Sequence, residues 1–296
     1  MTKSVKYQIF KLSKYLISDK LFYKIQHYKI HANRGEKAYW ANLKTPATFN
    51  EKILWLKNNF RHEIGTTIVD KYRVRQWIKE KIGDKYLIPL IEVYKDPDEI
   101  DIAKLPQEFI LKPNHGSGMV FICRDKSTFD FDTAKRQLKQ WMGRNYYYHG
   151  REWQYDGIEP QIVCEKLLSP EKPLKDYKIF CFNGSPKYIQ VDLDRFTRHA
   201  RCYYDLDWNK LPFTILYPKS DKEIEKPIQL EEMLAVAKKL AKDFVFLRVD
   251  LYLADDEIYF GEVTFHPEGG NGPFIPSNWD KKLGEELVVP IGKIKR

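Results

Sequence analysis

The chain has 296 residues, a formal charge of +9, 43% hydrophobic residues and 15% aromatic residues. That length and apolar content suit one large domain or two smaller ones and exclude wholesale disorder. No apolar run approaches the roughly 20 residues of a membrane span, and the opening MTKSVKYQIFKLSKYL lacks a signal peptide's unbroken apolar stretch.

Residues 1–40 read as a basic, mostly helical extension. Within 1–36, Lys3, Lys6, Lys11, Lys14, Lys20, Lys24, Lys29 and Arg34 face only Asp19 and Glu36, with Tyr7, Phe10, Tyr15, Phe22, Tyr23 and Tyr28 interleaved. Such a segment suits peripheral contact with an anionic membrane surface or an acidic glycan, or forms an ordinary helix with a solvated basic face. No recognition motif for nucleic acid accompanies the charge.

Thr48 with Glu51 three residues on is a capping box, opening a helix that carries Ile53, Leu54, Trp55 and Leu56. Asp70–Lys81 predicts a second helix stopped by Gly83, with Val74, Trp77 and Ile78 as its core side. Tyr86–Tyr94 reads as a strand, and Phe109–Pro113 and Phe121–Cys123 as a hairpin over a polar, glycine-bearing loop. Asp130–Met142 reads as a helix and Gln161–Leu168 as a strand. Tyr177–Phe182 and Lys187–Val191 flank Asn183-Gly184 as a hairpin, and Glu231–Asp243 is an amphipathic helix. The four cysteines, Cys123, Cys164, Cys181 and Cys202, have no metal-ligand spacing and are expected as structural thiols of a reducing cytoplasm. This mixture predicts an α+β or α/β enzyme with a largely antiparallel sheet around its site.

The most informative stretch is FVFLRVDLYLADDEIYFGEVTFHPEGGNG, residues 244–272. Alternation through Phe246–Leu253 and Ile258–Phe265 predicts a hairpin with the three-residue loop Asp255-Asp256-Glu257. With Ala254 opposite Ile258, Tyr252 meets Phe260, Asp250 meets Glu262 and Arg248 meets Thr264. Opposed side chains sit about 5 Å apart at Cβ, so two carboxylates there repel unless a cation lies between them. Mg²⁺ is the natural occupant because it takes carboxylate and phosphate oxygens. In the alternative, both carboxylates face solvent and pair with nearby Lys or Arg.

Phe109–Pro113 delivers Lys112 to the loop Asn114-His115-Gly116-Ser117-Gly118. Backbone N–H groups of such a loop can approach phosphates, and the lysine adds a point charge. The lysine precedes the glycines, so this is not a Walker A loop, and a plain turn with an exposed lysine is the alternative. Glu165 in IVCEKLL interrupts an apolar strand; it either pairs with Lys166 or Lys178 or flanks a strand edge able to read adenine. Lys178 in DYKIF interrupts another strand and could reach phosphate.

This order of motifs is similar to that of the ATP-grasp superfamily. The segments DKYRVRQWIKEKIGDKYLIPLIEVY, FILKPNHGSG and GEVTFHPEGGNGPFIP resemble its TupA-like family, of teichuronopeptide and surface-polysaccharide gene clusters, over about Phe49 to Pro290. The resemblance implies an ATP-grasp fold, two α+β lobes with the nucleotide between them behind the basic extension. The expected division is 1–40, an N-terminal lobe at 41–108, a central lobe at 109–170 and a C-terminal lobe at 171–296. It implies ATP and Mg²⁺ as cofactors. Lys112 and Lys71 would contact phosphates, Gly116, Ser117 and Gly118 would form the flap, and the backbone of Glu165, Lys166, Leu167 and Leu168 would read adenine. Asp250 and Glu262 would bind Mg²⁺. Thr264 stands where the superfamily usually has Asn, so its hydroxyl is the third candidate ligand. Arg248 would stabilise the transferring phosphoryl group, and His266 would help deprotonate an amine or, in the alternative, make only a loop hydrogen bond. The implied reaction is carboxylate–amine ligation through an acyl phosphate. It would act on an acidic or lipid-linked glycan and an amine, in the cytoplasm or at the inner membrane face. A competing reading is a metal-dependent nucleotide-sugar glycosyltransferase using Asp192-Leu193-Asp194 or Asp205-Leu206-Asp207. A third is a non-catalytic glycan- or membrane-binding protein, which leaves the Asp250/Glu262 pairing unexplained.

Overall fold

The computed structural model describes residues 3–33, 38–168, 174–193 and 198–292; Arg34, Glu36 and Asp194 lie outside them. The chain opens with α1 (Lys3–Leu16) and α2 (Asp19–Ala32), the helical extension expected. Arg151, wholly buried, ties both to the body. Its guanidinium donates to the Ile17 carbonyl at 3.0 Å and the Ser13 hydroxyl at 2.9 Å, pairs with Asp19 at 3.1 Å, and lies 4.0 Å over the Phe22 ring.

Next comes α3 (Phe49–Asn59), whose capping box is complete: Thr48 accepts the Glu51 N–H at 3.2 Å, and Glu51 accepts the Thr48 N–H at 3.2 Å. A short helix not anticipated, α4 (Gly65–Val69), precedes α5 (Val74–Lys81). The helix predicted from Asp70 starts four residues late. The Asp70 carboxylate accepts the N–H groups of Tyr72 and Arg73 at 2.9 and 3.1 Å, so it caps a turn instead of continuing a helix.

The strand predicted from Tyr86 is shortened to β1 (Leu90–Tyr94), behind a 3₁₀ turn at Asp84–Tyr86 and Pro89, which has no N–H to give a ladder. There follow β2 (Phe109–Pro113), β3 (Phe121–Cys123), α6 (Phe131–Met142), α7 (Tyr147–Gly150) and β4 (Ile162–Glu165). The antiparallel sheet runs β1-β4-β2-β3. Thus β1, before residue 109, shares a sheet with β2 to β4.

The rest of the chain adds β5 (Lys175–Phe182), β6 (Ser185–Leu193), β7 (Ala200–Tyr204), β8 (Thr214–Ile215), α8 (Leu230–Ala241), β9 (Phe246–Ala254), β10 (Glu257–Thr264), β11 (Phe274–Ile275) and α9 (Asn278–Glu286). A five-stranded antiparallel sheet runs β10-β9-β5-β6-β7, and β8 pairs with β11. Asn183 and Gly184 both take positive φ, 50° and 83°, and turn β5 into β6. One face of the five-stranded sheet buries Tyr177, Ile179, Val191, Val249 and Leu251 against Met233, Val236 and Leu240 of α8. The other face is divided. Phe180, Phe182, Tyr188 and Phe246 pack with Phe49 and Phe274 at one end, and charged residues fill the other. The four cysteines are buried and free, as expected of structural thiols.

Candidate active site

The β9–β10 hairpin supplies the centre of the site. Asp255 and Asp256 take φ of 50° and 62° and form a two-residue turn closed by Ala254 and Glu257, in place of the three-residue loop predicted. That turn alone would set Glu262 opposite Val249. A β-bulge between Phe260 and Glu262 adds one residue at Gly261, so Glu262 faces Asp250 and Thr264 faces Arg248, while Tyr252 faces Tyr259 and not Phe260. The bulge also brings Ile258 and Phe260 into the same core as Val263 and Phe265, correcting the unbroken alternation expected.

Asp250 is fully buried. Arg248 clasps it in a fork, Nε to Oδ1 at 2.7 Å and Nη2 to Oδ2 at 2.7 Å, and also donates to the Thr264 hydroxyl at 3.0 Å. The Glu262 carboxylate lies 3.7 Å from the same guanidinium. Lys178, opposite Asp250 on β5, places Nζ 2.5 Å from Asp250 Oδ2 and 2.7 Å from Asp176 Oδ2. Burial pushes the Asp250 carboxyl up, but Arg248 and Lys178 more than reverse this and hold it below the ordinary range. Burial likewise opposes the charge on Lys178, and Asp176 and Asp250 raise it.

These residues suit Mg²⁺. Asp250, Glu262 and Thr264 offer only oxygen, and Glu262 is a third exposed. No group of three or more His, Cys, Asp or Glu is placed to hold an ion among the described residues. A cation here would therefore take its other ligands from phosphate or water, as Mg²⁺ does. It would also compete with Arg248 and Lys178 for the Asp250 oxygens.

The phosphate-side residues converge from the other sheet. Lys112 Nζ lies 2.5 Å from Glu165 Oε2, and Arg75 lies 3.3 Å from Oε1, so Glu165 pairs with these two and not with Lys166 or Lys178. Lys71 is half-buried and its Nζ donates to the Gly116 carbonyl. Burial lowers the Lys71 pKa; Glu262 opposes that and Lys112 adds to it, so the three lie in one field. Asn114 anchors the loop base, donating to Asp70 at 3.0 Å and accepting from the Gln161 N–H at 2.8 Å. His115 bonds the Trp141 and Arg144 carbonyls at 3.2 and 3.1 Å. A Cβ on Gly116 would fall 2.3 Å from Met119 and 2.7 Å from the Tyr146 ring, so a side chain there would force both to shift. Gly118 takes φ of +70°. Ser117 lies between these two glycines. At the expected adenine strand, Lys166 donates its N–H to Pro89 at 3.0 Å, and Leu167 and Leu168 are buried.

His266 is buried, with Nδ1 3.4 Å from Glu152 and 3.3 Å from Gln154 Nε2. Burial lowers its pKa, against the pull of Glu152. Sequence reasoning missed Glu152, and it missed Lys57, which donates to the Gly269 carbonyl at 3.2 Å and is pushed down to about 8 by burial. It also missed the pair on β6 and β7: Arg201 Nε lies 2.9 Å from Asp192 and Nη1 lies 2.7 Å from Glu268. The available signal was register, because Asp176 faces Asp192 and Asp192 faces Arg201. Asp192 is thus committed to an internal ion pair. Asp205 caps a turn by accepting the N–H groups of Asp207 and Asn209 at 3.0 and 2.8 Å.

A family model described as TupA-like ATPgrasp matches residues 51–288. No curated protein matches the chain. Among solved structures, D-alanine–D-alanine ligase from Helicobacter pylori is similar at 18% identity and TM-score 0.42, over 75% of this chain and 61% of that one. The ADP complex of purK, N5-carboxyaminoimidazole ribonucleotide synthetase, is similar at 15% identity and TM-score 0.42, over 68% and 46%. The ATP-grasp ligase PsnB, complexed with a phosphomimetic variant of its minimal precursor, Mg and ADP, is similar at 11% identity and TM-score 0.37, over 69% and 51%. The chain therefore spans between 46% and 61% of the length of these proteins.

Proposed function

The chain belongs to the TupA-like ATP-grasp family, and on that premise we propose that it is an ATP-dependent carboxylate–amine ligase. The observation that carries this reading is the opposition of Asp250 and Glu262, flanked by Arg248 and Lys178, in the same field as Lys71 and Lys112. Arg248 and Lys178 already balance Asp250, so a divalent cation there would exchange for part of these contacts and bring the charge of bound phosphates into balance.

In the proposed reaction a substrate carboxylate oxygen attacks the γ-phosphorus of ATP. ADP leaves, and an acyl phosphate forms. An amine then attacks the acyl carbon, phosphate departs, and loss of the amine proton leaves an amide. Lys71 and Lys112 hold the nucleotide phosphates under the Gly116-Ser117-Gly118 loop, and the segment Glu165–Leu168 at the end of β4 carries the adenine. Asp250 and Glu262, with the Thr264 hydroxyl, would hold Mg²⁺, which neutralises phosphate charge when bound. Arg248 sits beside the transferring group, where a fixed guanidinium stabilises developing charge. Lys178 keeps Asp250 ionised and in place. His266, oriented by Glu152 and Gln154, accepts the amine proton; burial favours its neutral form, which can take one.

The family and the basic charge support a uronic-acid carboxyl of a cell-surface glycan precursor as the acid, and an amino acid or amino sugar as the amine. The charge of +9 suits a polyanionic or lipid-linked glycan, handled in the cytoplasm. No helix among the described residues is long and apolar enough to cross a membrane.

The test is incubation with Mg-ATP, a panel of uronic acids, and hydroxylamine as a general amine. The expected result is carboxylate-dependent ADP release with formation of a hydroxamate. Tight Mg-ATP binding without ADP release across the panel would count against ligation.

A further inference from the structure

Helix α1 has two apolar sides, and only one faces the protein. On the inner side, the Tyr7 ring meets Tyr148 at 6.1 Å and its hydroxyl accepts the Asn145 N–H at 3.2 Å, while Phe10 packs on Phe22 at 5.7 Å. On the outer side, Ile9, Leu12 and Leu16 are 47%, 62% and 80% exposed. At ~100° per residue these three fall within about 60° of one another. Tyr15, 76% exposed, borders them. Three aligned aliphatic side chains left in water are a face and not scattered singles.

The charge around this face has one sign. Helix α1 carries no acidic residue. Exposed Lys6 and Lys11 lie at about 90° and 130° from the centre of the stripe on opposite sides of the helix. Lysines there can run their stems along apolar surface and keep their ammonium groups at headgroup level. The first acid in the chain, Asp19, is occupied by Lys14 at 2.9 Å and Arg151 at 3.1 Å. The platform is fixed, because buried Arg151 clamps the α1–α2 junction at Ile17 and Ser13.

We propose that the outward face of α1 docks the protein on an anionic lipid bilayer, with Ile9, Leu12 and Leu16 entering the interface and Lys6 and Lys11 meeting lipid phosphates. Charge selects this occupant: an apolar stripe on a helix whose charged residues are all lysines complements a negative surface. The inference is independent of the ligase chemistry.

The test is flotation of the full chain with vesicles of equal parts phosphatidylglycerol and phosphatidylcholine, against vesicles of phosphatidylcholine alone. Wild type should bind the anionic vesicles, bind them less as salt rises, and leave the neutral ones free. The triple variant Ile9→Gln/Leu12→Gln/Leu16→Gln should bind about tenfold less or weaker still. Lys6→Gln/Lys11→Gln should bind several-fold less, and both variants should keep the wild-type melting temperature. Equal binding by the triple variant overturns the proposal. So does binding lost only with the lysines, which indicates a soluble polyanion, and so does a wild-type dimer that the triple variant dissociates, which indicates a second copy of this chain.

Discussion

Asp250 and Glu262 face each other across β9 and β10 because Gly261 is an extra residue in a two-residue hairpin. Turn and bulge are each one residue away from the simplest alternation, in opposite senses, and their effects cancel at the carboxylates. A Cβ on Gly261 would sit 2.9 Å from the Tyr252 ring and 3.1 Å from the Asp250 backbone oxygen. The ring can move; the backbone oxygen belongs to the strand that carries the carboxylate. Gly261→Val should therefore lower stability by about 1–3 kcal/mol in urea denaturation and weaken Mg-ATP binding. Deleting Gly261 should do more, because a one-residue slip turns Glu262 toward the core.

Acid sensitivity should report the Asp250 charge cluster. Its folded pKa lies below the unfolded value, so the unfolded chain binds more protons as pH falls. The stabilisation is fully present above the ordinary carboxylate pKa of about 4 and is lost as pH falls through the folded value. Urea midpoints across this range should drop steeply in wild type and less so in Asp250→Asn. At neutral pH the same variant leaves Arg248 and Lys178 short of a partner and should cost about 3–5 kcal/mol.

Asp280 should show the opposite slope. It is buried, accepts the Asn50 N–H at 2.9 Å and the Asn50 side-chain amide at 3.1 Å, and burial pushes it up to about 6. Here the folded state holds its proton longer than the unfolded state. The contribution is complete below about pH 4 and is lost as pH rises to about 6. Between those values wild type should lose up to about 3 kcal/mol relative to Asp280→Asn, measured by denaturation at matched pH.

Lys112→Met and Lys71→Met separate phosphate binding from stability. Glu165 keeps Arg75 at 3.3 Å when Lys112 is lost, so unfolding midpoints of Lys112→Met should move little. Hydrogen bonds to charged groups are worth about 1.5–3 kcal/mol, so each variant should bind Mg-ATP roughly ten- to a hundredfold more weakly by calorimetry.

Much of this arrangement is legible in the sequence, for local reasons. Thr48 and Glu51 form their box from neighbouring atoms, Asn183-Gly184 turns its hairpin through its own dihedral preferences, and the strands of Phe109–Pro113 and Phe121–Cys123 are short apolar runs on either side of a polar, glycine-bearing loop. The opposition of Asp250 and Glu262 was readable, while its route through a shorter turn and a bulge was not, because single-sequence alternation does not mark where an extra residue is absorbed. Asp70 looked like helix because its spacing continues that of Val74–Lys81; its side chain bonds the backbone instead. The Asp192–Arg201–Glu268 contacts join β6, β7 and the loop after β10, and nothing local to any of them announces the others.

The most direct measurement is calorimetric titration of Mg-ATP into wild type and Asp250→Asn, with Mg-UDP-glucose as the comparison ligand. Saturable Mg-ATP binding by wild type, sharply weakened in Asp250→Asn and absent for Mg-UDP-glucose, is the expected result. Binding of Mg-UDP-glucose without Mg-ATP, or Mg-ATP binding indifferent to Asp250, would contradict the assignment of Asp250 and Glu262 as the metal–nucleotide centre.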